Sequence, residues 1–147
     1  MKKQSALTDA PQTIHTNNTK KSNPVKCERF IMALLASGYV GLRGLECADR
    51  RGIRTNLLNE RVRFWSSCLH SDVASIERDL SISINRKWDP YKSPEGHTSN
   101  FKRYWLETYQ DAKKALKRLN TYRIKRNKTP FNEFECQKIL SVFLIKQ

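Results

Sequence analysis

The sequence predicts a mainly α-helical fold with one small β-hairpin, a disordered N-terminal arm and a helical C-terminal extension. Three observations carry that reading. Apolar residues recur at helical spacing in successive segments from Cys27 onward. One stretch, CLHSDVASIERDLSISINRKW (residues 68–88), passes from helical spacing to strict alternation with almost nothing between. A loop containing Pro90, Pro94 and Gly96 then leads to FKRYWL (Phe101 to Leu106), a second strand-like run.

Residues 1–24 are polar, rich in Thr, Asn, Ser and Lys, and nearly free of aliphatic side chains. Such a segment buries too little surface to offset its ordering entropy, so it is expected to be a disordered basic arm, either inert or resting on phosphates. From Pro24 the pattern changes. Cys27, Phe30, Ile31, Leu34 and Leu35 share one helical face, with Pro24 near the start and Gly38 just after the end. Leu42, Leu45 and Ala48 suit a short helix ending before Gly52. A further helix is expected from Thr55, a plausible cap, with Leu58, Val62 and Trp65 on one face and Arg61 and Arg63 outside.

Within the quoted stretch, Leu69, Val73, Ile76 and Leu80 repeat at helical spacing, with Ser71 or His70 as cap. Asp72 favours that helix's N-terminus through its dipole. Leu80, Ile82 and Ile84 then alternate with Ser81, Ser83 and Asn85, as in a strand with one buried face. Residues 107–120 read as a helix with Ala112, Ala115, Leu116 and Leu119 inward, which RIKRNKTP then breaks. The end, FNEFECQKILSVFLIKQ, reads as an amphipathic helix with Asn132 near its start, with a strand over SVFLI as the alternative. It is too apolar to stand alone, so residues 129–147 either pack on the domain or form a homodimer.

The chain has 147 residues, enough for one domain plus appendages, and 38% of them are hydrophobic. Its formal net charge is +14, which suits nucleic acid, an acidic partner or an anionic surface. Half of that excess lies in residues 108–128, which carry eight basic residues and one aspartate. No apolar run reaches membrane-spanning length, and MKKQSALTDAPQ lacks the apolar core of a secretory signal, so a cytoplasmic location is expected. Cys27, Cys47, Cys68 and Cys136 are far apart and form no CxxC pair, as expected of reduced thiols. Cys47, Cys68 and His70 match no standard zinc spacing, so no metal or other cofactor is expected. No Ser-His-Asp set, phosphate-binding loop or carboxylate pair can be argued, so the chain does not read as an enzyme.

The predicted order of helix, helix, helix, strand, wing and strand is that of a winged helix-turn-helix, here over residues 25–107. A basic helix and linker (108–128) and the amphipathic helix (129–147) follow. A helix fits the major groove, where base edges carry a distinctive donor and acceptor code. Arg86, Lys87, Lys92, Lys102 and Arg103 flank or occupy the wing, with Tyr91 and His97 in its loop. Trp88 and Trp105 are expected to pack in the core or wing. Lys113, Lys114, Lys117, Arg118, Arg123, Lys125, Arg126 and Lys128 form a strip suited to phosphates or simply to solvent.

CLHSDVASIERDLSISINRKW followed by KRYWLE resembles the small winged helix-turn-helix DNA-binding proteins of phages and prophages. The resemblance covers about residues 27–107 and is strongest over residues 68–88 and 102–107. It implies duplex DNA binding and regulation of phage or mobile-element genes, in a host cytoplasm. It also implies that the helix from His70 to Asp79 enters the major groove and presents His70, Ser71, Ser75 and Arg78. Asp72, Glu77 and Asp79 would repel phosphates unless they point elsewhere, and the alternative reader is the helix expected around Asn59, Arg61 and Arg63. Two other functions compete: a nonspecific nucleic-acid or replication accessory protein relying on the basic strip, and a protein-interaction module that inhibits a host factor.

Overall fold

The computed structural model describes residues 23–49 and 51–144, so most of the expected N-terminal arm lies outside the described residues. The core is organised around α1 (Lys26–Ser37), in which Phe30, Ile31, Met32, Ala33, Leu34 and Leu35 are all buried. A run that long exceeds one helical face, so α1 is covered on several sides at once. It ends at Gly38, whose positive φ of 55° turns the chain away.

The chain continues through β1 (Leu42–Arg43), α2 (Gly44–Ala48), β2 (Ile53–Leu57), β3 (Glu60–Phe64) and α3 (Leu69–Leu80). Next come β4 (Ile84–Trp88), β5 (Tyr91–Lys92), β6 (Thr98–Ser99) and β7 (Lys102–Leu106). Two helices, α4 (Tyr109–Lys125) and α5 (Glu133–Leu140), and a 3-10 turn at Ser141–Phe143 complete it. β1, β7 and β4 form an antiparallel sheet in that order, with Leu42 opposite Tyr104 and Ile84 opposite Leu106. β2 pairs with β3, and β5 with β6, in two further antiparallel ribbons. α1 touches β1, β2, β3, β7, α4 and α5.

The fold class is therefore corrected. Over the described residues the fold is mixed α/β with three small antiparallel sheets, not a mainly helical winged helix-turn-helix with one hairpin. The chief cause lies in residues 53–64. No helix starts at Thr55; β2 and β3 form a ribbon joined by Leu58 and Asn59. Ile53, Thr55, Leu57, Val62 and Phe64 turn inward in period two, and Phe64 stacks on Phe30 at 4.9 Å. Trp65, expected inside, is 45% exposed. The second cause is β1, too short to be read in sequence, which reaches β7 only because Gly41 has no side chain. A Cβ there would lie 2.4 Å from the Tyr104 carbonyl oxygen. A third ribbon, β5–β6, orders what reads as a loop.

α4 also runs further than expected, through Lys125, and ends where Asn127 takes a φ of 62°. Asn120 fixes the following loop: the Phe131 N–H donates to its Oδ1 at 2.8 Å. Asn132 and Glu135 then form a reciprocal capping box that starts α5. Ile139, Leu140 and Phe143 bury this end of the chain on the domain, with the Tyr39 ring edge-on to Phe143.

One ion pair joins the first turn of α1 to the end of α4. Arg126 Nε donates to both Glu28 carboxylate oxygens, at 2.9 and 3.0 Å, and its Nη2 donates at 2.7 Å. The two side chains are 9% and 1% exposed. Glu28→Ala leaves a buried guanidinium without its counter-charge and is expected to cost about 3–5 kcal/mol, read as a lower urea midpoint. The double variant Glu28→Met, Arg126→Met is expected to recover much of that loss, because an apolar pair carries no desolvation cost.

Candidate nucleic-acid interface

α3 is amphipathic. At about 100° per residue, Leu69, Val73, Ile76 and Leu80 fall on one side, and His70, Ser71, Ser75 and Arg78 span an arc of about 140° on the other. The structure follows that division: Leu69, Val73 and Ile76 are buried, His70, Ser71 and Arg78 are exposed, and Ser75 is half-buried. The helix begins at Cys68, with neither His70 nor Ser71 as cap. Ser66 organises this end, accepting from the Cys68 N–H at 3.2 Å and donating to Asp72. At the other end Ser81, with φ of 53°, turns the chain into β4.

The acidic residues sit at the borders of the apolar stripe. Asp72 is held by Ser66 and by Lys26, whose Nζ is 3.2 Å away. Glu77 accepts from the Ile84 N–H at 2.9 Å and from Arg86 at 2.6 Å. Both carboxylates thus point sideways into the fold and are neutralised there. Asp79 is exposed.

Arg86 and Arg103, expected on the wing, are both held in ion pairs of the fold, Arg86 still exposed and Arg103 half-buried. Arg86 also donates to the Ile84 carbonyl and lies over the Tyr104 ring at 5.4 Å. Arg103 joins Asp89 at 2.7 Å and Glu46 at 2.9 Å, and donates to the Gly41 carbonyl. With Arg43 it bridges β1, α2 and the end of β4. The Arg103 hydrogen bond, aided by the charge of Arg43, holds the Asp89 carboxyl below its usual range despite some desolvation. Lys87, Lys92 and His97 stay exposed on the β4–β7 arm, and Tyr91 is 36% exposed. Trp88 is 64% exposed, with Lys102 Nζ 4.8 Å from its ring centroid. Trp105 is half-buried and donates to Glu107.

The C-terminal basic strip divides in the same way. Lys113, Lys114, Lys117 and Lys125 are exposed, and Lys114 donates to the Ser81 carbonyl at 3.2 Å. Arg118 is half-buried against Tyr122. Arg123 and Arg126 are buried. Arg123 joins Glu60 at 3.0 Å, donates to the Thr129 carbonyl and lies 4.0 Å over the Phe131 ring. Lys128 reaches Glu60 at 3.6 Å.

Among the described residues no three His, Cys, Asp or Glu side chains converge as ligands. Cys68 lies beside His70, whereas Cys47 is buried, its thiol pushed up to about 12 by burial and by the charges of Glu46 and Asp72. No helix among the described residues is long and apolar enough to cross a membrane.

Sequence reasoning missed one basic surface. Arg54, Asn56, Arg61 and Arg63 are exposed together on the outer face of the β2–β3 ribbon. Arg61 and Arg63 are thus strand residues rather than members of a reading helix, and Asn59 is in the turn. The signal was the alternation in IRTNL and ERVRF, hidden by the helical spacing of Leu58, Val62 and Trp65 and by a turn without glycine. No protein family, curated protein or solved structure matches the chain.

Glu60 supplies a pH test of this arrangement. Burial alone would raise its carboxyl, but the Arg123 hydrogen bond and the charges of Arg123, Lys128 and Arg126 outweigh it and lower it. A depressed carboxylate stabilises the fold fully above the unfolded value of about 4.3 and ceases to do so as pH falls through the folded value. Glu60→Gln should therefore melt below the wild type at pH 7, and the gap between them should close on acidification.

Proposed function

We propose that the protein binds duplex DNA, with the outer face of α3 against base edges in the major groove. The observation that carries this reading is the withdrawal of Asp72 and Glu77 into the fold. It leaves His70, Ser71, Ser75 and Arg78 on a face from which two phosphate-repelling carboxylates have been removed. Arg78 suits the acceptor edge of guanine, and the hydroxyls and imidazole near the N-terminus of α3 suit phosphate or base contacts. Lys87, Lys92 and Lys102 on the arm, and Lys113, Lys114, Lys117 and Lys125 on α4, supply sequence-independent attraction. Exposed Trp88 offers an aromatic surface beside these cations.

The residue-level likeness to phage and prophage regulators extends the proposal to control of mobile-element genes. A nonspecific accessory role would use the same lysines without the α3 readout, so sequence preference separates the two.

The test is selection from a random duplex library at near-physiological salt. An enriched motif is expected. Arg78→Ala should weaken the enriched site by about 1–3 kcal/mol, roughly 5- to 150-fold, and relax preference at one position. Lys113→Gln, Lys114→Gln, Lys117→Gln should weaken all sequences alike and flatten the salt dependence. Binding without enrichment would overturn the regulator reading in favour of the accessory role, and no binding would overturn both.

A further inference from the structure

Five arginines of this protein, Arg43, Arg86, Arg103, Arg123 and Arg126, are tied to carboxylates of its own fold. Arg54, Arg61 and Arg63 are different. All three are exposed, they share one face of a two-stranded ribbon, and none has an acidic partner among the described residues.

The register makes this costly. Arg54 lies directly opposite Arg63, and Arg61 opposite Asn56. Like charges facing each other across an antiparallel pair are destabilising. The acid within the ribbon, Glu60, is drawn away by Arg123 and Lys128 at the far end of α4. The opposite face of the ribbon is fully occupied: Leu57, Val62 and Phe64 are buried and β2 and β3 both lie on α1. The arginine face is therefore held outward by packing that it does not share in. An open depression of about 450 Å³ runs along it, lined by Arg54, Asn56, Arg61 and Arg63. A second, of about 530 Å³, adjoins it at Arg54 and Asn56.

Guanidinium groups match phosphate oxygens two at a time, and they are less strongly hydrated than ammonium groups. A two-stranded ribbon is also one of the elements that B-form DNA admits to its major groove. We infer that the outer face of the β2–β3 ribbon is a second DNA-binding surface, taking the phosphodiester backbone of a duplex on Arg54, Arg61 and Arg63. Asn56 lies between them, its amide nitrogen used within the ribbon on the Leu58 and Glu60 carbonyls at 3.0 and 3.2 Å, so the phosphate contacts fall to the arginines. This rests on duplex DNA being the ligand, and it adds a contact separate from α3.

The experiment compares the full-length protein with Arg54→Gln, Arg61→Gln, Arg63→Gln, measuring affinity for a random-sequence duplex across a salt series. Each lost phosphate contact removes about 0.9 from the slope of log affinity against log salt, so the triple variant should lose roughly 2 to 3. Any motif enriched by the wild type should be unchanged, unlike the effect of Arg78→Ala. Thermal unfolding provides a second reading: removing the facing charges should leave the melting temperature equal or higher. If the triple variant folds poorly, Arg63→Gln alone should lower the slope by about one. An unaltered slope in a protein that still binds DNA would overturn the ribbon site and leave the α3 reading standing. A wild type that binds no duplex would overturn both.

Discussion

A buried carboxylate in the first turn of a helix covered on several sides would not be tolerated without a counter-charge. Glu28 is in that position, and Arg126 answers it with two nitrogens, Nε and Nη2. The pair is what fixes the end of α4 against the start of α1. Arg123, one turn earlier, carries the constraint outward by holding Glu60 at the tip end of the β2–β3 ribbon. The central helix, the long basic helix and the ribbon are thus tied at a single corner. The remaining elements are arranged around α1, and the buried apolar groups of β7, α5 and the 3-10 turn close over it.

The same corner explains how a chain with so large a positive charge divides its cations. Guanidinium groups, planar and able to satisfy several acceptors at once, are taken into internal networks at Arg43, Arg86, Arg103, Arg123 and Arg126. Lysines, more strongly hydrated, stay outside on α4 and the β4–β7 arm. The internal pairs also absorb acidic residues, Glu28, Glu46, Glu60, Glu77 and Asp89 among them. Each carboxylate so held is matched by an arginine, so the net charge is unchanged, but the charged groups left outside are richer in cations than the composition conveys.

Some of this was legible in the sequence. The helix expected over residues 129–147 spans only Glu133–Leu140 before a 3-10 turn, but the helical face of Leu69, Val73 and Ile76 and the returning run KRYWL stand where their spacing put them. These are segments in which one periodicity has no rival. The outer positions of α3 followed from the same spacing, because the far side of an amphipathic helix is fixed once its buried side is known. Residues 53–64 were not legible, because Leu58, Val62 and Trp65 satisfy a helical period while Ile53, Thr55, Leu57, Val62 and Phe64 satisfy an alternating one. Packing against α1 decided between them. Nor did any local signal separate Arg123 and Arg126 from their exposed lysine neighbours. Their partners, Glu60 and Glu28, are distant along the chain, and only the tertiary fold brings them together.

The turn of the β2–β3 ribbon carries one further consequence. Two residues join its strands, and the first, Leu58, adopts a φ of 57° that bulky side chains rarely take. Leu58 is half-buried and packs against the core, so its side chain anchors the turn even though its backbone is unfavourable there. Such a connection has no slack. Inserting or deleting one residue on either side would exchange the two faces, sending Phe64 or Leu57 into water and a guanidinium into the core. The ribbon can therefore change by substitution but not by length, whereas the exposed residues 94–97 at the tip of the β4–β7 arm can lengthen or shorten at little cost.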